Sequence, residues 1–207
     1  MFRKGLLVVI SAPSGTGKGT LLKLLKERYN SVRLSISATT RKPRECEIDG
    51  QNYFFRTIDE FKNMIAHNEL LEWDEYCNNF YGTPIHFVQE TLELGFDVVL
   101  EITVKGAVNI IDKYPDALTI FILPPSFEEL HERITGRGTE MPDVINKRLE
   151  QAKWEMTFID KYDYIVVNDN VENAVDKIIS ILVAEKLKFK RNREIFKNID
   201  MQNWRFE

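Results

Sequence analysis

The stretch Ala12-Pro13-Ser14-Gly15-Thr16-Gly17-Lys18-Gly19-Thr20 has residue types suited to holding phosphate. An apolar run, Leu6 to Ile10, precedes it, and an amphipathic segment, Leu21 to Tyr29, follows. A strand, a glycine-rich turn and a helix in that order aim backbone N–H groups at an anion, where the helix N-terminus adds partial positive charge. Gly15 and Gly17 let the backbone wrap close to phosphate oxygens. Lys18 has the reach for β- and γ-phosphates, and the Thr20 hydroxyl can meet a magnesium ion or the α-phosphate. Ala12 stands where the general phosphate-loop pattern has glycine, which a negative φ would tolerate. Gly19 stands at the usual Ser/Thr position, with the hydroxyl one residue later.

A second set of residues lies in Ser37 to Phe55. Arg41 and Arg44 flank Pro43, and two guanidinium forks held there can clamp one phosphate by charge-assisted hydrogen bonds. Further on come Leu-Leu-Glu-Trp, with Glu72, and Asn-Phe-Tyr-Gly-Thr-Pro, with Tyr81, Gly82 and Thr83. An ionised carboxylate only accepts hydrogen bonds. Glu72 therefore suits the N1–H and N2–H of guanine rather than adenine, and Ser37 and Thr83 can donate to guanine O6 or N7.

These groups need a scaffold. Leu6–Ile10, Val98–Ile102, Leu118–Leu123 and Tyr164–Val167 are short, apolar and rich in β-branched residues, which suits strands buried on both faces of a parallel sheet. Val171, Ala174, Val175, Ile178, Ile179, Leu182 and Val183 repeat at helical spacing. Thr57 with Glu60, and Ser126 with Glu129, have capping-box spacing. The alternation predicts an α/β P-loop fold, a parallel sheet flanked by helices, with ligands at the carboxyl ends of the strands. Ser35–Thr39, Tyr53–Phe55 and Leu71–Tyr76 read as short strands around a helix near Ile58–His67, a small inserted α+β lobe. Gly136-Arg137-Gly138-Thr139, between two helical patterns, reads as a mobile lid. The expected organisation is a core of residues 1–34 and 91–185, a lobe at 35–90, a lid at 134–148 within the core span, and a basic tail at 186–207.

Composition narrows the function classes. With 207 residues and 43% hydrophobic content the chain can build one sizeable core. A net charge of −4 argues against broad nucleic-acid binding. Cys46 and Cys77 form no C-x-x-C pair and fit a reducing compartment without zinc. His67, His86 and His131 lack ligand spacing and read as surface or packing residues. No apolar run approaches the roughly 20 residues of a membrane helix, and the first strand begins too early for a signal peptide, so the expected location is cytoplasmic. Lys186, Lys188, Lys190, Arg191 and Arg193 read as a solvated helix end.

Taken together, the phosphate loop, S-x-T-T-R-x-x-R-x-x-E-x-x-G-x-x-Y from Ser37 to Tyr53, the L-E-W and Y-G-T segments, R-x-x-G-R-G-T-E from Arg133 and V-V-N-D from Val166 resemble guanylate kinase over about residues 5 to 185. The resemblance implies transfer of a phosphoryl group from ATP to GMP, and to dGMP, with magnesium. It implies Ser37, Glu72 and Thr83 on guanine, with Gly82 beside them. Arg41, Arg44, Tyr53 and Tyr81 would hold the GMP phosphate. Lys18, Arg41, Arg133, Arg137 and Arg148 would surround the transferring group. Residues 12–20 and Asn168 would hold ATP. Three positions depart from the family pattern. Ala12 and Cys46 stand where glycine is usual, and Cys46 needs an adjusted loop if its turn requires positive φ. Thr103 stands where a second acidic residue helps hold guanine; Glu101 is kept. Glu101 reads either as a buried structural carboxylate paired with Lys18 or a lid arginine, or as a group organising magnesium-bound water. The competing functions are a non-catalytic module of the same family that binds protein partners, and a kinase of another small phosphate acceptor.

Overall fold

The computed structural model describes residues 4–76, 78–136 and 142–197. Five strands form an entirely parallel sheet in the order β2-β7-β1-β8-β9: β1 (Leu7–Ser11), β2 (Val32–Leu34), β7 (Asp97–Glu101), β8 (Leu118–Leu123) and β9 (Tyr164–Val167). Strand side chains alternate between faces, and the core divides accordingly. Val8 and Ile10 of β1, with Ile120 and Ile122 of β8, pack on one face. They meet α1 (Lys18–Arg28) and α7 (Val171–Leu187) through Leu21, Leu22, Leu25, Ala174, Val175, Ile178 and Leu182. Val9 and Phe121 point to the other face, against α3 (Ile85–Glu93) and α4 (Val104–Lys113) through Val88, Leu92, Ala107 and Ile110. Burial on both faces explains why these strands read as continuous apolar runs.

A second, mixed sheet has the order β4-β3-β6-β5, formed by β3 (Ala38–Thr39), β4 (Phe54–Phe55), β5 (Leu70–Tyr76) and β6 (Asn79–Pro84). Helix α2 (Ile58–Ala66) opens on a complete capping box: the Thr57 hydroxyl accepts from Glu60 N–H, and the Glu60 carboxylate accepts from Thr57 N–H at 2.7 Å. Strand β6 was not visible as a strand in the sequence, because Tyr-Gly-Thr-Pro has the composition of a turn. Its glycine has a strand role: a Cβ at Gly82 would lie 2.9 Å from the Glu72 carbonyl oxygen and 3.0 Å from Trp73 Cβ. Only a residue without one lets β5 approach this closely. Strand β2 and helices α3 and α4 also gave no distinct sequence signal.

Helix α5 (Phe127–Thr135) starts at Ser126, whose hydroxyl accepts from Glu129 N–H, and α6 (Pro142–Met156) follows. The tail is for the most part the solvated helix end the sequence suggests, with Lys188, Lys190, Arg191 and Arg193 exposed and Lys186 half-buried. It continues as α8 (Phe189–Lys197), and Lys186 reaches 2.6 Å from the fully buried Asp97, which also accepts from Leu6 N–H at 2.9 Å. Lys190 pairs with Asp116. Lys186 thus ties the end of α7 to the core, while the Lys190–Asp116 pair lies at the surface. Among the described residues no helix is long and apolar enough to cross a membrane.

Candidate active site

Chain topology brings loops to the carboxyl ends of β1, β7 and β9, and the phosphate-type turn follows β1. Gly15 and Gly17 have φ of 89° and 88°, and Gly17 is the residue on which α1 begins. Both lie in the left-handed region that favours glycine. Ala12 is not among the described residues with positive φ, so the missing glycine costs this turn nothing. The turn is tied internally by Thr16, whose buried hydroxyl donates to the Pro13 carbonyl at 2.7 Å. Residues 12–20 line one side of a cavity of about 1190 Å³.

Lys18 extends across this cavity toward β7. Its ammonium donates to the Ile102 carbonyl at 3.1 Å and lies 4.0 Å from Glu101. Burial lowers its pKa, while the Glu101 and Glu155 carboxylates favour its charged form. Glu101 is not the buried carboxylate one reading expected, since its side chain is 43% exposed. It shares the cavity with Thr20. These two oxygen donors suit magnesium, which keeps several waters and relies on substrate phosphates for other ligands. Among the described residues no cluster of three or more acidic, histidine or cysteine side chains offers a metal a full protein cage.

The arginines assigned to the lid divide. Arg148, on α6, donates to the Ser14 hydroxyl at 3.2 Å from Nε and 2.9 Å from Nη2. Arg133, on α5, donates to the Thr16 carbonyl at 3.2 Å and to the Asn168 carbonyl at 3.3 Å, and pairs with Glu129. Arg137 lies outside the described residues. Asn168 sits beneath the turn, 2% exposed, with its amide nitrogen donating to the Thr16 carbonyl at 2.8 Å. A Cβ on Gly17 would stand 3.0 Å from that nitrogen.

Sequence reasoning missed Glu155. Its carboxylate is buried behind the turn, accepts from Gln151, and has its pKa raised by burial. The signal was available: Arg148, Gln151 and Glu155 recur at i, i+3 and i+7 on one face of α6.

A second cavity, of about 190 Å³, opens between the two sheets. Ser37, Tyr53, Glu72, Tyr81, Gly82 and Thr103 line it. Glu72 is 6% exposed and takes a hydrogen bond at 2.7 Å from the Thr83 hydroxyl. Burial pushes its carboxyl up to about 6, against the stabilising bond from Thr83. Thr83 itself is fully buried, with its hydroxyl proton spent on Glu72, so it stands behind the carboxylate. Gly106 closes the other side: a Cβ there would lie 3.0 Å from Glu72 Oε2. The Thr103 hydroxyl caps α4, accepting from Gly106 N–H at 3.1 Å.

At the mouth of this cavity Arg41 lies over Tyr53 at 5.3 Å, and Tyr53 meets Tyr81 edge to face at 6.1 Å. The Arg41 guanidinium is engaged by Glu47 through two bonds of 2.8 and 2.9 Å, which raises its pKa. The Arg44 N–H donates to the same carboxylate at 2.8 Å, and Arg44 is exposed. Between Arg44 and Glu47, Cys46 has φ of 72°, so this turn does require the left-handed conformation and holds a cysteine in it.

Asp74, Glu101 and Thr103 line both cavities and mark where they adjoin. One chamber offers backbone N–H groups and cations to phosphate. The other offers a buried acceptor to a flat ring bearing N–H donors.

Comparison with known proteins agrees with this arrangement. The family model described as guanylate kinase matches residues 4–185. A guanylate kinase of Caldanaerobacter subterraneus subsp. tengcongensis is 50% identical over 197 residues, 95% of this chain and 96% of that one. The guanylate kinase of Bacillus subtilis is 51% identical over 192 residues, 92% and 94% of the two chains. The crystal structure of guanylate kinase from Anaplasma phagocytophilum superposes with a TM-score of 0.73 at 32% identity, covering 91% of this chain and 90% of that one.

Proposed function

The chain belongs to the guanylate kinase family and phosphorylates GMP with ATP, and from that premise we propose which residues perform the transfer. ATP binds with its phosphates in the 12–20 turn and Asn168 beneath it. GMP binds with its guanine against Glu72 and Ser37, beside Gly82 and Thr103. Its phosphate lies among Arg41, Arg44, Tyr53 and Tyr81. Thr20 and Glu101 would hold magnesium, which when bound would supply charge neutralisation on the phosphate oxygens. We extend the acceptor range to dGMP, since no residue assigned here reads the ribose 2′ position.

Phosphoryl transfer asks for positioning and charge, with no covalent intermediate on the protein. A GMP phosphate oxygen attacks the γ-phosphorus in line, the bond to the β–γ bridging oxygen breaks, and ADP leaves with that oxygen. Lys18 neutralises charge on the transferring group. Arg148 and Arg133 approach from α6 and α5, and Arg137 from residues 134–148, which act as the lid. Residues 35–90 act as the lobe that carries GMP. Arg41 must share or surrender its hold on Glu47 to grip phosphate, and an arriving dianion competes well for a guanidinium. Excluding water on closure prevents hydrolysis of ATP.

The single observation that supports the reading best is the buried carboxylate of Glu72, facing a cavity that adjoins the phosphate cradle. Release of ADP, measured across GMP, dGMP, AMP, CMP and UMP with and without magnesium, tests it. Turnover confined to GMP and dGMP and abolished by chelation is the expected result. Turnover with AMP equal to that with GMP overturns the base assignment, and full activity after chelation overturns the magnesium assignment.

A further inference from the structure

Guanine presents three N–H bonds on one edge, one at N1 and two at the 2-amino group. A single carboxylate facing that edge accepts from N1–H and from one of the amino protons, leaving the second amino proton to find another acceptor. An unmet donor in a closed cavity is costly, so the identity of that acceptor matters for selectivity. Thr103 is poorly suited: it carries no charge, and its hydroxyl oxygen already accepts from Gly106 N–H.

Asp74 follows Glu72 by two residues on β5, past the register shift that β5 makes between Leu70 and Trp73. It lines the same cavity as Glu72 and Thr103. Lys105, in the first turn of α4, holds it at 2.5 Å, and Glu75 N–H donates to it at 2.9 Å; both bonds go to Oδ1. The Asp74 side chain is 22% exposed, whereas that of Lys105 is 62% exposed. The acid therefore faces inward and the base sits on its outer side. The charge of Asp74 is felt at Glu72, where it favours the protonated form.

We propose that Asp74 is the second reader of guanine, accepting the remaining 2-amino proton, with Lys105 as the residue that positions its carboxylate. This rests on the assignment of the Glu72 cavity to the base. It makes Asp74 and Lys105 the means by which a chain with threonine at position 103 still surrounds the 2-amino group with negative charge.

The test uses a nucleotide differing only in that group. Inosine 5′-monophosphate keeps N1–H and lacks the amino substituent. Binding of GMP and of inosine monophosphate is measured by calorimetry for the wild type, Asp74→Ala, Glu72→Gln, and Asp74→Ala combined with Thr103→Asp, with circular dichroism to verify the fold. Asp74→Ala is expected to weaken GMP about tenfold or more, the scale of one charged hydrogen bond, and to leave inosine monophosphate within about twofold. Thr103→Asp in the Asp74→Ala background returns a carboxylate to the same cavity and is expected to recover part of the GMP preference. An unchanged preference for GMP over inosine monophosphate in Asp74→Ala, while Glu72→Gln still loses GMP, overturns the proposal and leaves Asp74 as an anchor for Lys105. If Glu72→Gln leaves GMP binding intact, the cavity is not the base site and both readings fall.

Discussion

In the turn between β1 and α1 the groups offered to a ligand are backbone N–H bonds fixed by two left-handed glycines, and side chains such as Thr16 and Asn168 brace the turn from behind. In the cavity between the sheets the offered groups are side chains, braced by the Thr83 hydroxyl and by close backbone approach at Gly82 and Gly106. The first region tolerates substitution at the surface of the turn: Ala12 replaces a glycine without positive φ. The second depends on its side chains. A single change, threonine at 103, alters what the cavity can say to a base. Phosphate is shared by every nucleotide and can be held by a generic device. Discrimination among bases requires particular atoms at particular places.

If this contrast is right, breaking each region has a distinct kinetic signature. The largest effect is expected from Lys18→Ala, the lysine of the cradle that we propose neutralises the transferring group. Turnover should fall by at least about 10²-fold, the scale for loss of one preorganised electrostatic donor. The folded variant should keep its preference for GMP over AMP, and a change in that preference would merge the two regions.

Arg44→Ala comes next. Loss of one charge-assisted hydrogen bond, worth roughly 1.5–3 kcal/mol, should raise the KM for GMP about 10- to 150-fold. The KM for ATP should stay near its original value; a selective rise in the ATP value would put the clamp in the wrong chamber.

A pH experiment sharpens the side-chain region. Without nucleotide the buried carboxyl of Glu72 titrates at about 6, above its usual 4.5, so the native state keeps this proton longer than the unfolded chain. Its contribution to stability is therefore complete below the lower value and declines as pH rises through about 6, by about 2 kcal/mol. Guanine donors favour the ionised form, so the ratio of GMP to AMP affinity should rise as pH increases through the same interval. Using the ratio cancels titration of the nucleotide phosphate. A flat ratio between pH 5 and 7, an interval of roughly one unit either side of that pKa, would mean Glu72 does not face the base.

The smallest effect is at the turn beside the clamp. Cys46 occupies φ of 72°, where a side chain costs roughly 1–2 kcal/mol, partly offset by the lower chain entropy of the unfolded state relative to glycine. Cys46→Gly should stabilise the protein by up to about 1 kcal/mol in urea denaturation. Destabilisation would show that the cysteine thiol contributes to the loop.

The two regions also differed in how far the sequence revealed them. The cradle is local: strand, glycines, lysine and helix lie consecutively, and each leaves its own signature. The paired arginines and Glu72 were visible by residue type and order. The cavity between the sheets was only partly legible, because Ser37, Glu72, Thr83 and Thr103 are brought together by β-pairing and by the packing of α4 on β5. Sequence order could not show that Thr83 stands behind Glu72, or that Thr103 is committed to capping α4. Nor could it show that Asp74 and Lys105, distant in the chain, form a pair at the edge of the cavity. Glu155 was hidden for another reason: a buried carboxylate on a polar helix looks like any surface acid until its neighbours are known.

The buried carboxylate of Glu72 is the group that tells guanine from adenine, while the turn at 12–20 holds phosphate whatever the base. Glu72→Gln tests this most directly, since glutamine keeps the shape but turns a donor toward the donors of guanine. The measurement is kcat/KM for GMP and for AMP in wild type and variant, with ATP saturating and its KM determined separately. The account predicts a large loss with GMP, a much smaller one with AMP, and an unaltered KM for ATP. An unchanged GMP to AMP ratio in a folded Glu72→Gln variant would contradict it.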